Sequence, residues 1–331
     1  MRRAIALAGF ATLLAMIAGT GSVSADSGHS DSKSFQHVFV IMMENTGYNL
    51  LIGNPNAPWI NAAAQKYGLA TNYFGVTHPS QPNYIAATAG IQGADSDFNE
   101  TLSVPNIVDQ LESHDKTWKA YMQSYSLCTD PLAASCGVQL YERKHNPFVT
   151  FADVQSSPVR MANIVDLSQL NTDLASKHVP NYVWISPDQC HDMHGRGTTP
   201  ADPCNFSNEQ SLISAGDTFL SSTVGAITSS RAWKGNSVIF IMWDESEFTN
   251  SGFGGFGDDS GCCDSVAGQG GGHVAALVIS HSNDEHVTSS IAYNHYSVLR
   301  TIQQGWRLGC LGFTCDTKNV PTMSKLTSSE D

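Results

Sequence analysis

The chain has 331 residues, with 30 acidic residues against 17 lysines and arginines, a formal charge of -13 and 41% hydrophobic residues. A surface this acidic argues against nucleic acid or an anionic membrane as a resting partner, but leaves room for a small phosphorylated substrate in a metal-lined pocket. After the N-terminus no apolar run is long enough to span a bilayer, so no stable membrane insertion is expected, and oligomeric state is not legible.

At the start, Arg2 and Arg3 precede an apolar stretch at 4–18 and the small residues Val23-Ser24-Ala25. This pattern predicts a signal peptide over 1–25, cut after Ala25, and a secreted product, extracellular or periplasmic. Residues 26–34 are polar and read as a disordered lead-in. No linker or repeat divides 35–331, so that span is expected to be a single domain with long loops.

Apolar runs then alternate with helix-like segments. Strands are predicted at 37–43, 69–76, 117–122, 181–185, 237–242 and 273–280. Helices are predicted at 58–67, from Pro82 to Gly90, and at 105–111, 167–175, 209–228 and 296–304. The alternation predicts an α/β fold with a parallel-rich sheet between helices, binding its ligand beyond the carboxyl ends of the strands.

Those ends carry the reactive residues: Glu44-Asn45 after the first strand, Thr77 and Ser80 after the second, Asp192 and His194 after 181–185, and Asp244-Glu245 after 237–242. Glu44, Asn45, Asp244 and Glu245 are hard oxygen donors suited to Mg, Ca or Mn, with Zn admitted where imidazoles join. Packed without a cation, the three carboxylates would raise one another's pKa. Ser80, near a helix N-terminus that favours anions, is a candidate nucleophile; simple helix capping is the competing reading. His194 has three candidate roles: protonating a leaving alcohol, binding a second metal or contacting the phosphoryl group. Lys144-His145 offer positive charge for a phosphate or are a surface pair, and His273 is a ligand or a structural residue.

All eight cysteines lie beyond the leader, which fits an exported, disulfide-bonded protein. Cys128 with Cys136 and Cys310 with Cys315 bracket short loops and are the natural local pairs. Cys190, Cys204, Cys262 and Cys263 are expected to form two bridges among themselves, the adjacent pair reaching separate partners.

His37-Val-Phe-Val-Ile-Met-Met-Glu44-Asn45, Thr77-His-Pro-Ser80-Gln-Pro-Asn83-Tyr84, Pro187 through Asp192-Met-His194, Met242-Trp-Asp244-Glu245, Gly271-Gly-His273-Val and His295-Tyr-Ser-Val-Leu together resemble the bacterial phosphoesterase family of secreted acid phosphatases and phospholipases C. The likeness is strongest to acid phosphatases of the phosphatidylinositol 3-phosphatase type. It implies an alkaline phosphatase-like three-layer α/β/α sandwich with divalent metal at the C-terminal rim and a Ser or Thr phosphoryl intermediate. By the same resemblance, Glu44, Asn45, Asp244 and Glu245 are metal ligands, Ser80 is the nucleophile with Thr77 as fallback, and Asn83 steadies a phosphoryl oxygen. The chain departs from relatives at Pro187-Asp188 and Gly195, and its glycine-rich, Cys-bearing insertion at 251–272 looks longer.

The expectation is therefore a secreted, metal-dependent phosphatase acting on phosphomonoesters, with Ser80, His194 and Asp192 in catalysis and Asn83, Lys144, His145 and His273 around the substrate. One alternative is a phospholipase C acting on a lipid headgroup phosphodiester, with Trp243, Phe248, Phe253 and Phe256 lining an apolar groove. The other is a non-catalytic secreted module that binds metal or phosphate.

Overall fold

A computed structural model of the chain describes residues 34–94, 96, 97, 99–247, 257–264, 269–282 and 285–327. The expected leader, the lead-in before Ser34, parts of the 251–272 insertion, and Phe248, Phe253 and Phe256 lie outside the described residues.

Eleven strands are described: β1 Val38–Met43, β2 Gly68–Phe74, β3 Trp118–Met122, β4 Ser135–Cys136, β5 Tyr141–Glu142, β6 Ile164–Asp166, β7 Tyr182–Ser186, β8 Val238–Trp243, β9 His273–Ser280, β10 Thr288–Ser289 and β11 Tyr293–Asn294. Nine form one sheet in the order β10-β2-β9-β8-β1-β7-β3-β6, with β11 also paired to β2; β4 and β5 make a separate hairpin. Pairing is parallel throughout the sheet except along β9, which runs antiparallel to β2 and β8. His273, at the start of β9, therefore lies at the edge where β2 and β8 end.

β1 and β8 are buried at every position, as central strands covered on both faces must be. The longer helices are α1 Pro58–Lys66, α2 Ser80–Ala89, α3 Ile107–Ser113, α4 Leu170–Ala175, α5 Glu209–Thr228 and α6 His295–Trp306. α1 and α4 pack on α5, and α2 packs on α6. Asp217 of α5 accepts hydrogen bonds from Trp59 N (3.2 Å) and Ile60 N (2.8 Å), so one helix caps the free N–H groups of another.

Several expectations shift. α2 begins at Ser80 rather than Pro82, so Pro82 is its third residue and still lies in the first turn, where a missing N–H has no helical partner to lose. It ends, as expected, at Gly90, which adopts φ 70. The edge strands β6, β10 and β11 and the β4–β5 hairpin were not legible, because two or three residues carry no usable periodicity.

Disulfides join Cys128 to Cys136 and Cys310 to Cys315 as expected. Cys190 pairs with Cys204, while Cys262 and Cys263 bond to each other rather than to separate partners. The loop after Cys190 folds back on itself, with Arg196 N donating to Cys204 O at 2.8 Å, and this brings Cys190 and Cys204 to a Cα separation of 5.0 Å.

Candidate functional site

Three strand ends bring four carboxylates together at one rim. Glu44 follows β1, Asp244 and Glu245 follow β8, and Asp192 follows β7; all four are 0–1% exposed. Backbone bonds lock the ends to one another: Glu44 N donates to Asp192 O at 2.8 Å and Asp244 N to Met43 O at 2.9 Å. Asn45 turns with φ 33, a conformation asparagine tolerates. That turn lets its N–H donate to Asp244 Oδ1 and its Nδ2 to Glu245 Oε1, both at 3.0 Å.

The loop from β2 delivers Ser80 to the same point. Its close approach requires glycine: a Cβ on Gly75 would lie 2.6 Å from Asp244 O, and one on Gly271 2.7 Å from Thr77 O. Ser80 Oγ stands between two carboxylates, 2.9 Å from Glu44 Oε2 and 3.0 Å from Glu245 Oε1. Ser80 is thus the first helical residue, with its hydroxyl turned on the carboxylates rather than capping α2.

Burial pushes the Glu44 carboxyl well above the usual range, and the charges of Asp244 and Asp192 push it further. Asp244 is pushed up to about 8, by burial and then by Glu245. Asp192 is also raised, chiefly by burial. Two basic side chains face this charge. Although burial opposes it, Lys144 is held above its ordinary value by Asp97 and Glu44, and its Nζ is 2.8 Å from Asp97 Oδ2. His78 pairs with Glu245 through Nδ1 and with Asp258 O through Nε2; that pairing holds it above its ordinary value despite burial.

His145 is buried against Tyr84, with Nε2 3.2 Å from Glu44 Oε1 and Nδ1 3.6 Å from Asp192 Oδ2. Burial and the neighbouring Lys144 hold its pKa well below the imidazole range. His194 is lowered to about 4, first by burial and then by Lys144. Its ring lies 6.2 Å from that of His145, and its Nδ1 donates to Gly195 O at 2.7 Å.

Two expected substrate contacts are otherwise engaged. The Asn83 side chain is spent on its own loop: Oδ1 accepts from Val76 N and Thr77 N, and Nδ2 donates to Thr77 O and Pro79 O. These bonds tie together the turn that leads into Ser80. His273 bonds through Nε2 to Thr71 O at 3.1 Å and stacks on Tyr48, outside the carboxylate cluster. The fallback hydroxyl of Thr77 donates to His78 O instead of facing the carboxylates. Trp243 is fully buried, with its indole N–H directed at Met193 Sδ, so it lines no open groove.

Sequence reasoning missed two residues that complete the site, His78 and Tyr84. The Tyr84 hydroxyl donates to Glu44 Oε1 at 2.5 Å. The available signal was its spacing of four from Ser80, which puts both on one face of a helix.

Among the described residues, no group of three or more His, Cys, Asp or Glu side chains has the arrangement to hold a metal ion unaided. The donor set here also draws on the Asn45 amide and the Ser80 hydroxyl. Four buried atoms around it lack hydrogen-bond partners: Asn45 Oδ1, His145 Nε2, Asp192 Oδ2 and Asp244 Oδ2. Unpaired buried oxygens of one sign are costly, and a divalent cation among them would remove both the repulsion and the missing bonds, so the residues fit such an ion.

The fold matches a phosphonate monoester hydrolase of Agrobacterium radiobacter over 89% of this chain and 78% of that one, at TM-score 0.56 and 12% identity. It matches an alkaline phosphatase superfamily protein from Vibrio parahaemolyticus over 84% and 67%, at TM-score 0.51 and 14% identity. The chain thus has the alkaline phosphatase-like α/β fold, with a mostly parallel central sheet. In sequence, residues 52–309 match the Phosphoesterase family, and the chain belongs to it.

Among curated relatives, a probable acid phosphatase of Kluyveromyces lactis is 32% identical over 50% of this chain and 40% of its own length. The phosphate-repressible acid phosphatase of Penicillium chrysogenum is 26% identical over 84% of this chain and 61% of its own length. A phosphatidylinositol-3-phosphatase of Mycobacterium tuberculosis is 27% identical over 65% of this chain and 64% of its own length. The chain therefore spans less than two thirds of each of these relatives.

Proposed function

We propose that the protein is a secreted, metal-dependent phosphatase that hydrolyses phosphomonoesters through Ser80. The observation that carries this reading is the Ser80 hydroxyl held between Glu44 and Glu245, beside buried oxygens with no partner. The acid phosphatase relatives support the monoester preference, and the four disulfides support export. No helix among the described residues is long and apolar enough to cross a membrane.

In this reading Glu44, Asn45, Asp244 and Glu245 would hold a divalent ion of the Mg, Ca, Mn or Zn class, which when bound would supply positive charge for the seryl oxygen and a phosphoryl oxygen. Ser80 Oγ gives its proton to an adjacent carboxylate and attacks phosphorus in line; the Oγ–P bond forms as the ester P–O bond breaks. Lys144 and the N-terminal end of α2 offset phosphoryl charge. The carboxyl that takes the Ser80 proton returns it to the departing alkoxide, while His194, whose Nδ1–H is committed to Gly195 O, keeps Nε2 as an acceptor for a proton of the incoming water. Asp192 and His145 stand together beside Glu44. Water then cleaves the phosphoserine.

Acid-quenching the enzyme during turnover of a radiolabelled monoester tests this directly. Label recovered as phosphoserine at position 80 is expected. Turnover in a Ser80→Ala variant, with label elsewhere or absent, would sink the proposal.

The mycobacterial relative favours one narrower reading, that the monoester is carried on a phospholipid headgroup. Comparing p-nitrophenyl phosphate, bis(p-nitrophenyl) phosphate and phosphatidylcholine separates monoesterase from phospholipase C. Monoester turnover is expected to lead by about tenfold or more.

A further inference from the structure

α2 meets Glu44 twice from one face. Ser80 opens the helix and Tyr84 follows four residues later, so the two side chains stack on the same side. Ser80 Oγ donates to Glu44 Oε2 at 2.9 Å, and the Tyr84 hydroxyl donates to Oε1 at 2.5 Å. Each oxygen of one buried carboxylate therefore receives a donor from a single rigid element, which fixes the plane of the carboxylate as well as its position. The tyrosine is itself held fast: it is 1% exposed, its ring stacks on His145 at 5.3 Å between centroids, and it tilts against Trp184 at 6.0 Å.

We infer that the Tyr84 hydroxyl is a positioning group that holds the Glu44 carboxylate in the plane presenting Oε2 to Ser80 and to the bound cation. The inference rests on the roles proposed above for Ser80 and Glu44. Without the hydroxyl the carboxylate keeps only the Ser80 bond on Oε2 and the His145 ring nitrogen 3.2 Å from Oε1, so its plane is held less firmly and the Ser80 proton has a less fixed acceptor. Because the donor is uncharged, its removal changes orientation without changing the charge of the site. The expected direction is therefore weaker metal binding, as when a hydrogen-bond partner behind a ligand is deleted.

Tyr84→Phe removes one oxygen and keeps the ring against His145 and Trp184. Titrating Mn²⁺ into the metal-free full chain by calorimetry, the variant should bind about tenfold more weakly. Turnover of p-nitrophenyl phosphate should show a kcat lowered by a similar factor with KM unchanged, a split that general loosening of the fold would not produce. In a Glu44→Gln background, Tyr84→Phe should cause no further loss.

Mn²⁺ affinity and kcat both within about threefold of wild type overturn the inference. Should the variant not fold, wild-type protein labelled at the tyrosine Cζ carbons provides the reading. The Tyr84 resonance shifts when Mg²⁺ is added, and an unmoved resonance overturns the inference. Ser80→Ala separates the two levels. Turnover surviving in Ser80→Ala removes the nucleophile, whereas wild-type behaviour of Tyr84→Phe removes only the positioning role.

Discussion

Ser80 Oγ and Glu245 Oε1, 165 residues apart in the chain, meet at 3.0 Å. The contact joins the first turn of α2 to the end of β8, and every prediction about chemistry depends on it.

Replacing Ser80 with Ala removes the attacking oxygen but none of the carboxylates. Turnover should fall by roughly a thousandfold or more. Calorimetric Mn²⁺ affinity should stay within about tenfold, because one neutral ligand is lost from a carboxylate-rich set. A protein that merely binds metal or phosphate would keep its ligand affinity and show no turnover to lose.

Chelation followed by re-addition of Mg, Ca, Mn and Zn one at a time tests the cation. Turnover should vanish and return with at least one ion. That ion should also raise the melting temperature, since saturation at about 100 times Kd stabilises the folded state by about 2.7 kcal/mol. Unchanged activity and melting after exhaustive chelation would remove the metal from the proposal.

The Cys190–Cys204 and Cys262–Cys263 bridges should differ sharply in what they contribute to stability. Cys190 and Cys204 are 14 residues apart, and replacing both by Ser should cost about 3 kcal/mol by loop-closure entropy. The bridge between Cys262 and Cys263 closes no chain loop, so the matching double substitution should change urea stability by less than about 1 kcal/mol. Equal losses would mean that the adjacent pair anchors the fold in a way chain entropy does not describe.

Asp166 supplies a pH test away from the site. Its carboxylate accepts from Ser126 N at 2.9 Å and Ser168 N at 3.0 Å, and although burial opposes them, these bonds hold its pKa below the ordinary 3.8. A lowered folded value means the stabilisation is present above the unfolded pKa and is lost as pH falls through the folded one. Asp166→Ala should therefore cost about 1–2 kcal/mol at neutral pH, with the gap from wild type closing as pH drops below the unfolded value. Urea midpoints across an acid series measure it.

Much of this was legible because it depends on local pattern. Strands such as Val38–Met43 and Val238–Trp243 announce themselves as unbroken apolar runs, and Glu44 and Asp244 follow them directly. Where the side chains of Asn83 and His273 turn was not legible, because a motif gives residue type and order, but not direction. Asn83 faces its own backbone, and the antiparallel course of β9 starts His273 at the rim but stacks it on Tyr48. His78 and Tyr84 lay inside a quoted stretch, yet their partners, Glu245 and Glu44, are 167 and 40 residues away.

By itself the sequence determined the α/β alternation, the family likeness and the residues standing at the strand ends, since periodicity and motif order are properties of neighbours along the chain. Only the tertiary structure decided that Ser80 lies between two carboxylates, that Cys262 bonds Cys263, and that Tyr84 and His78 grip the outer oxygens of Glu44 and Glu245. Those choices depend on distance and direction between side chains brought together by strand order and helix packing, and no local pattern encodes that geometry.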